Sequence, residues 1–589
     1  MTGDPQHDPY AARPWLASYP PGVPHEIDPS EYSTLVDMFR KSVEAFTDRP
    51  AMESFGARLT FRELSQAADR VAAWLQAQGL QKGDRVAIMS PNVLAYPAIL
   101  FGVLIAGGVV VNVNPLYTPS ELAHQINDSG ARYLFVFENF AFTAEAAWSE
   151  MTIERAIIVT AGDLMGLKGL IVNFVARHVK KMVPAYHLPG AEPFSQVLKA
   201  DSKKLAPVPI EPDDIAFLQY TGGTTGVAKG AVLLHRNVAA DVEQSWGWLK
   251  WYLEPRGPLY MVTALPLYHI FALTACCMLI IRTGGCCLLI ANPRDLNGLI
   301  ATVRNSGFTL FSGVNTLYSA LAEHRDIGKV DFSHLVMSIS GGMATQEVIA
   351  RKWKAITGRE IIEGYGLSET SPIVTINRPD LEAYSGGIGY PLPSTDISIR
   401  NGDGEIVPLG ERGELCIRGP QVMPGYWRRP DETAKVMTAD GFFKSGDIAI
   451  MEPDGMLRIV DRLKDMILVS GFNVYPNEVE AALIQHPKVK EVAVIGVPFP
   501  HSGEAPMAFV VARDPSLTAE ELRHFAHELL TGYKVPRFYE FRDALPKTNV
   551  GKILRRALKE EFEARAKCPP DEGRGRSVKT EIQTAREAN

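Results

Sequence analysis

Residues 90–120 read SPNVLAYPAILFGVLIAGGVVVNVNPLYTPS and contain no charged side chain. A stretch of that kind has to leave water, either across a bilayer or into a protein core. Gly107–Gly108 divides it into a helix-like part, Val93–Ala106, and a β-branched part, Val109–Val113, so the reading is a buried helix followed by a buried strand. No transmembrane helix is expected. The segment before it, RLTFRELSQAADRVAAWLQAQGLQKGDRVAIMS, supplies an amphipathic helix ended by Gly79, a turn at Lys82–Asp84 and a strand over Arg85–Met89. Strand, helix and strand in that rhythm predict a parallel sheet covered on both faces.

The rhythm resumes after Asp214, with strands expected near IAFLQY, AVLLH, MVTALP, CCLLI, TLFSG and LVMSISG. The fold class is therefore α/β: a large domain over residues 32–462, with α/β layers at 32–206 and 207–385 and a small β unit at 386–460, where Gly and Pro turns separate short strands. Beyond DRLKD the αβ texture returns, and residues 463–565 are expected to form a small, mobile α+β domain. Residues 1–31 read as a proline-rich arm laid over the surface, without a secretory signal, and 566–589 as a flexible polar tail. A chain of 589 residues with 46% apolar content is globular and multidomain, and a net charge of −7 gives nucleic acid no electrostatic hold. The paired cysteines Cys276–Cys277 and Cys286–Cys287 lack the spacing of a zinc site and read, with Cys416 and Cys568, as small apolar residues.

Between two apolar runs stands YTGGTTGVAKGA, residues 220–231. Gly222, Gly223 and Gly226 allow backbone N–H groups to turn inward, Thr221, Thr224 and Thr225 add hydroxyls, and Lys229 adds a cation, which together suit a phosphate. A Walker loop would place the lysine directly after a glycine and run into a helix. Here Lys229 precedes Gly230 and a strand follows, so that loop is excluded; a plain hairpin turn would have no use for so many hydroxyls. Downstream, EGYGLSET follows a strand. There Gly364 precedes Tyr365, which can stack on a base, Thr370 can bind a phosphate oxygen, and Glu369 is a hard carboxylate suited to Mg2+. Asp447 in KSGDIA and Arg462 in VDRLKDM, read at loop positions, can grip ribose hydroxyls and phosphate. Singly they also read as a turn former and a surface ion-pair partner. Lys552 in PKTNVGKI reads as a cation on a flexible arm, or singly as a surface lysine.

In their order, YTGGTTGVAKG, YGLSET, SGD, DRLKD and PKTNVGK resemble the adenylate-forming superfamily of acyl-CoA synthetases, luciferases and peptide-synthetase adenylation domains, from about Tyr32 to Phe562. Within it, DGFFKSGDIAIMEPDGMLRIVDRLKDMI is similar to the signature of fatty acyl-CoA synthetases, nearest to the bacterial long-chain-fatty-acid–CoA ligases. Phe443, Lys444 and Ser445 stand where Leu, His and Thr are more usual. The resemblance implies an enzyme that uses ATP, Mg2+ and coenzyme A on a fatty acid by way of an acyl-adenylate. Thr221–Gly226 and Lys229 would hold the β- and γ-phosphates, Glu369 and Thr370 the α-phosphate and Mg2+, and Asp447 with Arg462 the ribose. Lys552 would reach the α-phosphate and the substrate carboxylate. Lys464 matches the family hinge, where rotation would bring VSGFNVYP, around Gly471, to line the thiol tunnel. His269, in ALPLYHIFALTACC, matches the point where pantetheine meets the acyl carboxylate, although a lone histidine in such a run also reads as a satisfied core residue. That apolar run and SGGMAT, Ser340–Thr345, are expected to wall an acyl tunnel. A medium-chain or aryl acid–CoA ligase, and a non-catalytic acyl-nucleotide binding protein, are the alternatives. A homodimer is compatible with the resemblance.

One segment falls outside these motifs. Residues 164–183 hold Leu164, Leu167, Ile171, Phe174, Val175 and Met182 at helical spacing among Lys168, Arg177, His178, Lys180 and Lys181, with no acidic residue between Asp163 and Glu192. Such a helix can lie on an anionic membrane surface, or pack on the domain with a solvated basic rim. A cytoplasmic enzyme, peripheral on the inner face of the membrane, is the expected location.

Overall fold

A computed structural model describes residues 8–28, 31, 33–221, 228–470, 472–499, 502–548 and 551–567. Contacts divide the chain into one unit of Met1–Ser445 and Ala449–Ile459 and a second of Gly446–Ile448 and Val460–Asn589.

In the first unit the uncharged stretch forms the helix Ala95–Ile105, buried at every position, and the strand Val109–Asn112. Among the described residues no helix is long and apolar enough to cross a membrane. The helix is buried because another, Phe61–Ala77, lies across it, started by a capping box between Thr60 and Glu63. They cross at Gly102, where a Cβ would stand 2.5 Å from Val71 Cβ, so only glycine permits the approach. Three of the buried polar side chains of the stretch, Asn92, Tyr96 and Asn112, are paired. Asn92 Nδ2 donates to Thr263 O at 2.9 Å and Leu265 O at 2.8 Å, and Tyr96 Oη lies 2.6 Å from Asn112 Oδ1 and 2.9 Å from Leu267 O. Buried polar groups are costly unless matched, so these bonds fix one sheet against the other.

Those sheets are large. One has seven strands in the spatial order Glu192–Pro193, Arg155–Val159, Ala131–Phe137, Arg85–Met89, Val109–Asn112, Ile215–Thr221 and Lys229–Leu234, parallel except for the last pair. The other has nine: Tyr390–Pro391, Ile373–Ile376, Ile361–Gly366, Met337–Ser340, Leu310–Gly313, Tyr260–Thr263, Cys286–Leu289, Pro50–Ser54 and Ala57–Thr60. The layers therefore interleave along the chain instead of dividing at residue 206. The early hairpin Pro50–Thr60 joins the second sheet beside Cys286–Leu289, and Ile215–Leu234 closes the first. A four-stranded sheet follows, of Asp396–Arg400, Gly413–Arg418, Phe443–Met451 and Leu457–Arg462. It places Asp447 and Arg462 within the strands Phe443–Met451 and Leu457–Arg462, not in the loops expected of them. All five described cysteines are buried and free.

The second unit is built on a five-stranded sheet in which Gly503–Ala512 lies between Val489–Phe499 and the pair Ile467–Val469 and Phe538–Phe541, with Phe472–Val474 beyond Ile467–Val469. Helices Pro476–Leu483 and Ala519–Leu529 supply Val479, Leu483, Leu522 and Ala526 to one of its apolar faces.

The amino-terminal arm is more deeply set than a surface strap. Tyr10 and Trp15 are buried in the first unit's core, and a Cβ on Gly455 would stand 2.3 Å from Trp15 Cα. Arg13 Nε donates to Asp396 Oδ1 at 2.7 Å, and Tyr19 Oη to Pro391 O at 2.6 Å. Trp15→Ala should therefore lower the unfolding free energy by about 3 to 5 kcal/mol, the usual cost of emptying a buried tryptophan site. Chemical denaturation followed by circular dichroism checks this; a loss below about 0.5 kcal/mol would show that the arm is peripheral.

Candidate active site

The strands on either side of the Gly/Thr-rich stretch, Ile215–Thr221 and Lys229–Leu234, pair antiparallel, Thr221 opposite Lys229. Gly222, Gly223, Thr224, Thr225 and Gly226 lie outside the described residues. Thr221 Oγ1 is 3.5 Å from Lys229 O. The outer edge of the hairpin receives Gly425–Trp427: Val232 N donates to Gly425 O at 3.0 Å, and Trp427 N to Gly230 O at 2.8 Å. Tyr426 thereby comes to lie against Lys229, whose ammonium stands 5.4 Å from the ring centroid and pairs with Glu432. Beside Lys229, the Glu432 carboxyl is held down at about 2.

The strand Ile361–Gly366 carries Gly364 and Tyr365 and leads through a short turn, Ser368–Thr370, into Ile373–Ile376. A Cβ at Gly366 would fall 1.8 Å from Pro372 O, so glycine is required for this tight return. Glu369 and Thr370 are buried in the turn. Thr370 Oγ1 donates to Pro372 O at 2.5 Å and accepts from Leu367 N at 3.0 Å. Glu369 Oε1 accepts from Tyr426 Oη at 2.7 Å, and Met423 N donates to Glu369 O at 2.8 Å. Burial, with Glu369 next to it, raises the Tyr426 hydroxyl's pKa and keeps it a donor. Lys229 and Glu369, 140 residues apart in sequence, are thus joined through one tyrosine. A cation and a carboxylate held this close together are what binding a polyphosphate with its metal requires.

A helix that the motif reading passed over holds these pieces in register. His235–Leu253 buries Asn237, Asp241 and Gln244, at helical spacing, on its inward face. Asn237 Nδ2 donates to Pro420 O at 2.7 Å and Val422 O at 3.1 Å, Asp241 Oδ1 accepts from Ile373 N at 2.9 Å, and Gln244 Nε2 donates to Pro393 O at 2.7 Å. Burial pushes the Asp241 carboxyl upward, against the opposing hydrogen bond from Ile373 N. The available signal was N-x-x-x-D-x-x-Q, three polar residues on one helical stripe. A solvated face looks the same in sequence.

The expected acyl wall converges nearby. His269 caps the helix Ile270–Leu273, its Nδ1 accepting from Phe271 N at 3.4 Å; it is half-buried at a helix start instead of inside the apolar run. A Cβ at Gly341 of SGGMAT would stand 3.1 Å from both Gly364 O and the Phe271 ring, so these three segments meet. Thr274 Oγ1 ties the same run to Ser371 O at 2.8 Å. Glu363, just before Gly364, accepts from Thr345 N at 2.8 Å, and burial pushes its carboxyl up to about 7.

Asp447, Arg462, Lys464 and Lys552 fall in the second unit. Buried Asp447 pairs with Arg462, Oδ1 to Nε at 3.2 Å. Lys552 N donates to Thr548 Oγ1 at 3.0 Å. Burial first, then the neighbouring Arg462, pulls both the Lys552 and the Lys464 ammonium down to about 8, against the opposing pull of Asp447. Next to Lys552, Arg555 is anchored on Glu480 at 2.6 Å, Asp465 at 3.4 Å and Asp461 at 3.9 Å. Gly471 lies outside the described residues.

A family model described as AMP-binding enzyme matches residues 39–427, and one for the AMP-binding enzyme C-terminal domain matches residues 478–552. A long-chain-fatty-acid–CoA ligase of Escherichia coli O6:H1 is 52% identical over 550 residues, spanning 93% of this chain and 98% of that protein. One of Yersinia pestis is 53% identical over 553 residues, with the same coverage. Among solved structures, an anthranilate–CoA ligase in complex with anthranoyl-AMP superposes with a TM-score of 0.81 over 92% of this chain and 100% of that one; at 24% identity this speaks for the fold alone.

Asp241→Ala leaves the buried Ile373 N–H without an acceptor, at a cost of about 1 to 3 kcal/mol. The loop carrying Glu369 and Thr370 should loosen, with kcat falling further than the KM for nucleotide rises, whereas Asp241→Asn keeps the acceptor and should match the parent. Steady-state kinetics and thermal melts decide; equal behaviour of the two variants would remove Asp241 from the positioning of that loop.

Proposed function

Because the chain belongs to the family of AMP-binding enzymes, we infer that it is an ATP-dependent long-chain fatty acid–CoA ligase, releasing AMP and pyrophosphate as it forms acyl-CoA. The observation behind the long-chain assignment is identity of about half the residues with ligases of that name along nearly the whole of both chains.

The chemistry sets what each residue must do. A carboxylate is a poor electrophile, so it is first joined to the α-phosphate of ATP, expelling pyrophosphate; the CoA thiol then attacks the acyl carbon and AMP leaves. In the first step two anions approach each other, and cations already in place lower that barrier. We assign Lys229 and the Thr221–Gly226 loop to the departing pyrophosphate, Thr370 to the α-phosphate, and Tyr365, behind Gly364, to the adenine. Asp447 and Arg462 are assigned to the ribose, and Lys552 to the reacting oxygens. His269 and the Gly341–Phe271–Gly364 meeting are assigned to the carboxylate end of the acyl chain. Lys464 is the hinge of the exchange between steps, and Gly471 belongs to the segment that then meets the thiol.

Glu369 suits Mg2+, since its buried carboxylate is oriented by Tyr426 and magnesium takes one or two carboxylates with substrate phosphates. Among the described residues no three His, Cys, Asp or Glu side chains gather to hold an ion by themselves. Bound there, Mg2+ would neutralise phosphate charge. A peripheral membrane contact through residues 164–183 belongs to the same reading.

Lys552→Ala should lower acyl-adenylate formation by about 100- to 1,000-fold and leave conversion of supplied acyl-AMP to acyl-CoA intact; equal loss in both steps would remove Lys552 from its role. Because its ammonium is depressed to about 8, the charged form is lost as pH rises through that value. The adenylation rate should therefore fall on the alkaline side of pH 8, and Lys552→Arg should abolish that limb. AMP release measured across acids of rising chain length tests the assignment as a whole. A maximum at long chains is expected, and no AMP with any acid would overturn it.

A further inference from the structure

The helix Leu167–Phe174 faces the wrong way for a soluble protein. Leu167, Leu170, Ile171 and Phe174, one stripe at helical spacing, are 83%, 67%, 66% and 59% exposed. The opposite face is the one that docks. Gly169 is buried, and a Cβ there would stand 2.0 Å from Gly162 O, while one at Gly162 would stand 2.2 Å from Gly169 O; the helix touches the body backbone to backbone. Asn173 locks this contact, accepting from Gly162 N at 2.8 Å and donating to Thr160 Oγ1 at 2.9 Å. Beyond the helix, Arg177 pairs with buried Glu138 at 2.7 Å, and Asn139 Nδ2 donates to Met182 O at 3.0 Å. Packing on the domain is therefore not the role of the apolar stripe, because polar and glycine contacts already do that work.

The exposed face continues past the helix through Val179 and Met182. It is joined by the turn of the Pro50–Thr60 hairpin: Lys168 Nζ lies 2.9 Å from where a Gly56 Cβ would be, and the adjacent Phe55 is 47% exposed at a φ of 47°. Around these apolar groups Lys168, His178, Lys180 and Lys181 are exposed, and no acidic residue occurs from 164 to 191, in a chain whose net charge is −7.

We propose that Leu167–Phe174, with Phe55, is a rigid platform that inserts its apolar side chains into the interface of an anionic phospholipid bilayer, the lysines resting among the headgroups. Apolar side chains backed by a basic rim match that partner, whereas a protein surface would have to supply an apolar groove lined by acids. The platform is pre-formed, so no folding on the membrane is needed. The proposal rests on the ligase reading only for its use, which is to hold the enzyme where long-chain acids partition.

The full chain is floated, without substrates, on vesicles of phosphatidylcholine alone and of phosphatidylcholine with phosphatidylglycerol. The parent should bind the anionic vesicles at least about tenfold better. Ile171→Glu with Phe174→Glu should abolish binding, and Lys180→Glu with Lys181→Glu should reduce it to the level seen on neutral vesicles. All three proteins should turn over a water-soluble medium-chain acid at the parent's rate, which shows that the variants fold and separates failure of docking from failure of the ligase assignment. Equal flotation of parent and variants, no flotation of the parent, or a parent dimer in size-exclusion chromatography that Ile171→Glu with Phe174→Glu dissociates would overturn the proposal.

Discussion

The hydrogen bond from the Tyr426 hydroxyl to the Glu369 carboxylate joins parts of the chain that belong to different sheets. Lys229 begins the last strand of the seven-stranded sheet, and Glu369 sits in a turn between strands of the nine-stranded one. Tyr426, paired along the hairpin edge, touches both. A site that must bring two anions together needs cation and carboxylate set in advance, since ordering them during reaction would add to the barrier. The tyrosine sets that spacing.

Its own position depends on the polar interior of the same unit. Asn237, Asp241 and Gln244 reach from one helix to two loops and the start of the strand Ile373–Ile376, and Asn92 and Tyr96 tie the uncharged stretch to the loop after Tyr260–Thr263. Hydrophobic burial alone would leave the two sheets free to settle in several registers, because it has no direction. Buried hydrogen bonds are satisfied in one arrangement only, and here they select the one that brings Lys229, Tyr426 and Glu369 together.

Strands and helices were legible where the pattern is local. The buried helix and strand around Gly107–Gly108 and the two strands that end in Thr221 and begin at Lys229 follow from apolar period and turn residues, and the five ordered motifs were sufficient for the family. That those two strands pair as an antiparallel hairpin was not legible, because the glycines and hydroxyls between them pointed to a phosphate instead of a turn. The interleaving of the sheets was not legible, since the pairing of Met52 with Cys287 leaves no local trace in either segment. Asp241 was missed for a related reason: a polar side chain at helical spacing has the same signature whether it meets water or a buried N–H. The stripe Leu167–Phe174 shows the converse, as spacing revealed that an apolar face exists but not that Gly169 and Asn173 would turn it outward. Tyr426 has no motif around it, and its place is visible only once Gly425–Trp427 is seen pairing with the hairpin edge.

On the proposed function, a fatty acid carboxylate displaces pyrophosphate from ATP before any thiol takes part, and Lys229, Tyr426 and Glu369 serve that step. Incorporation of labelled pyrophosphate into ATP measures that step alone. With hexadecanoic acid and no CoA, exchange should be rapid in the parent, absent when the acid is left out, and slowed in Tyr426→Phe. Label entering ATP without the acid, or only when CoA is present, would contradict the account.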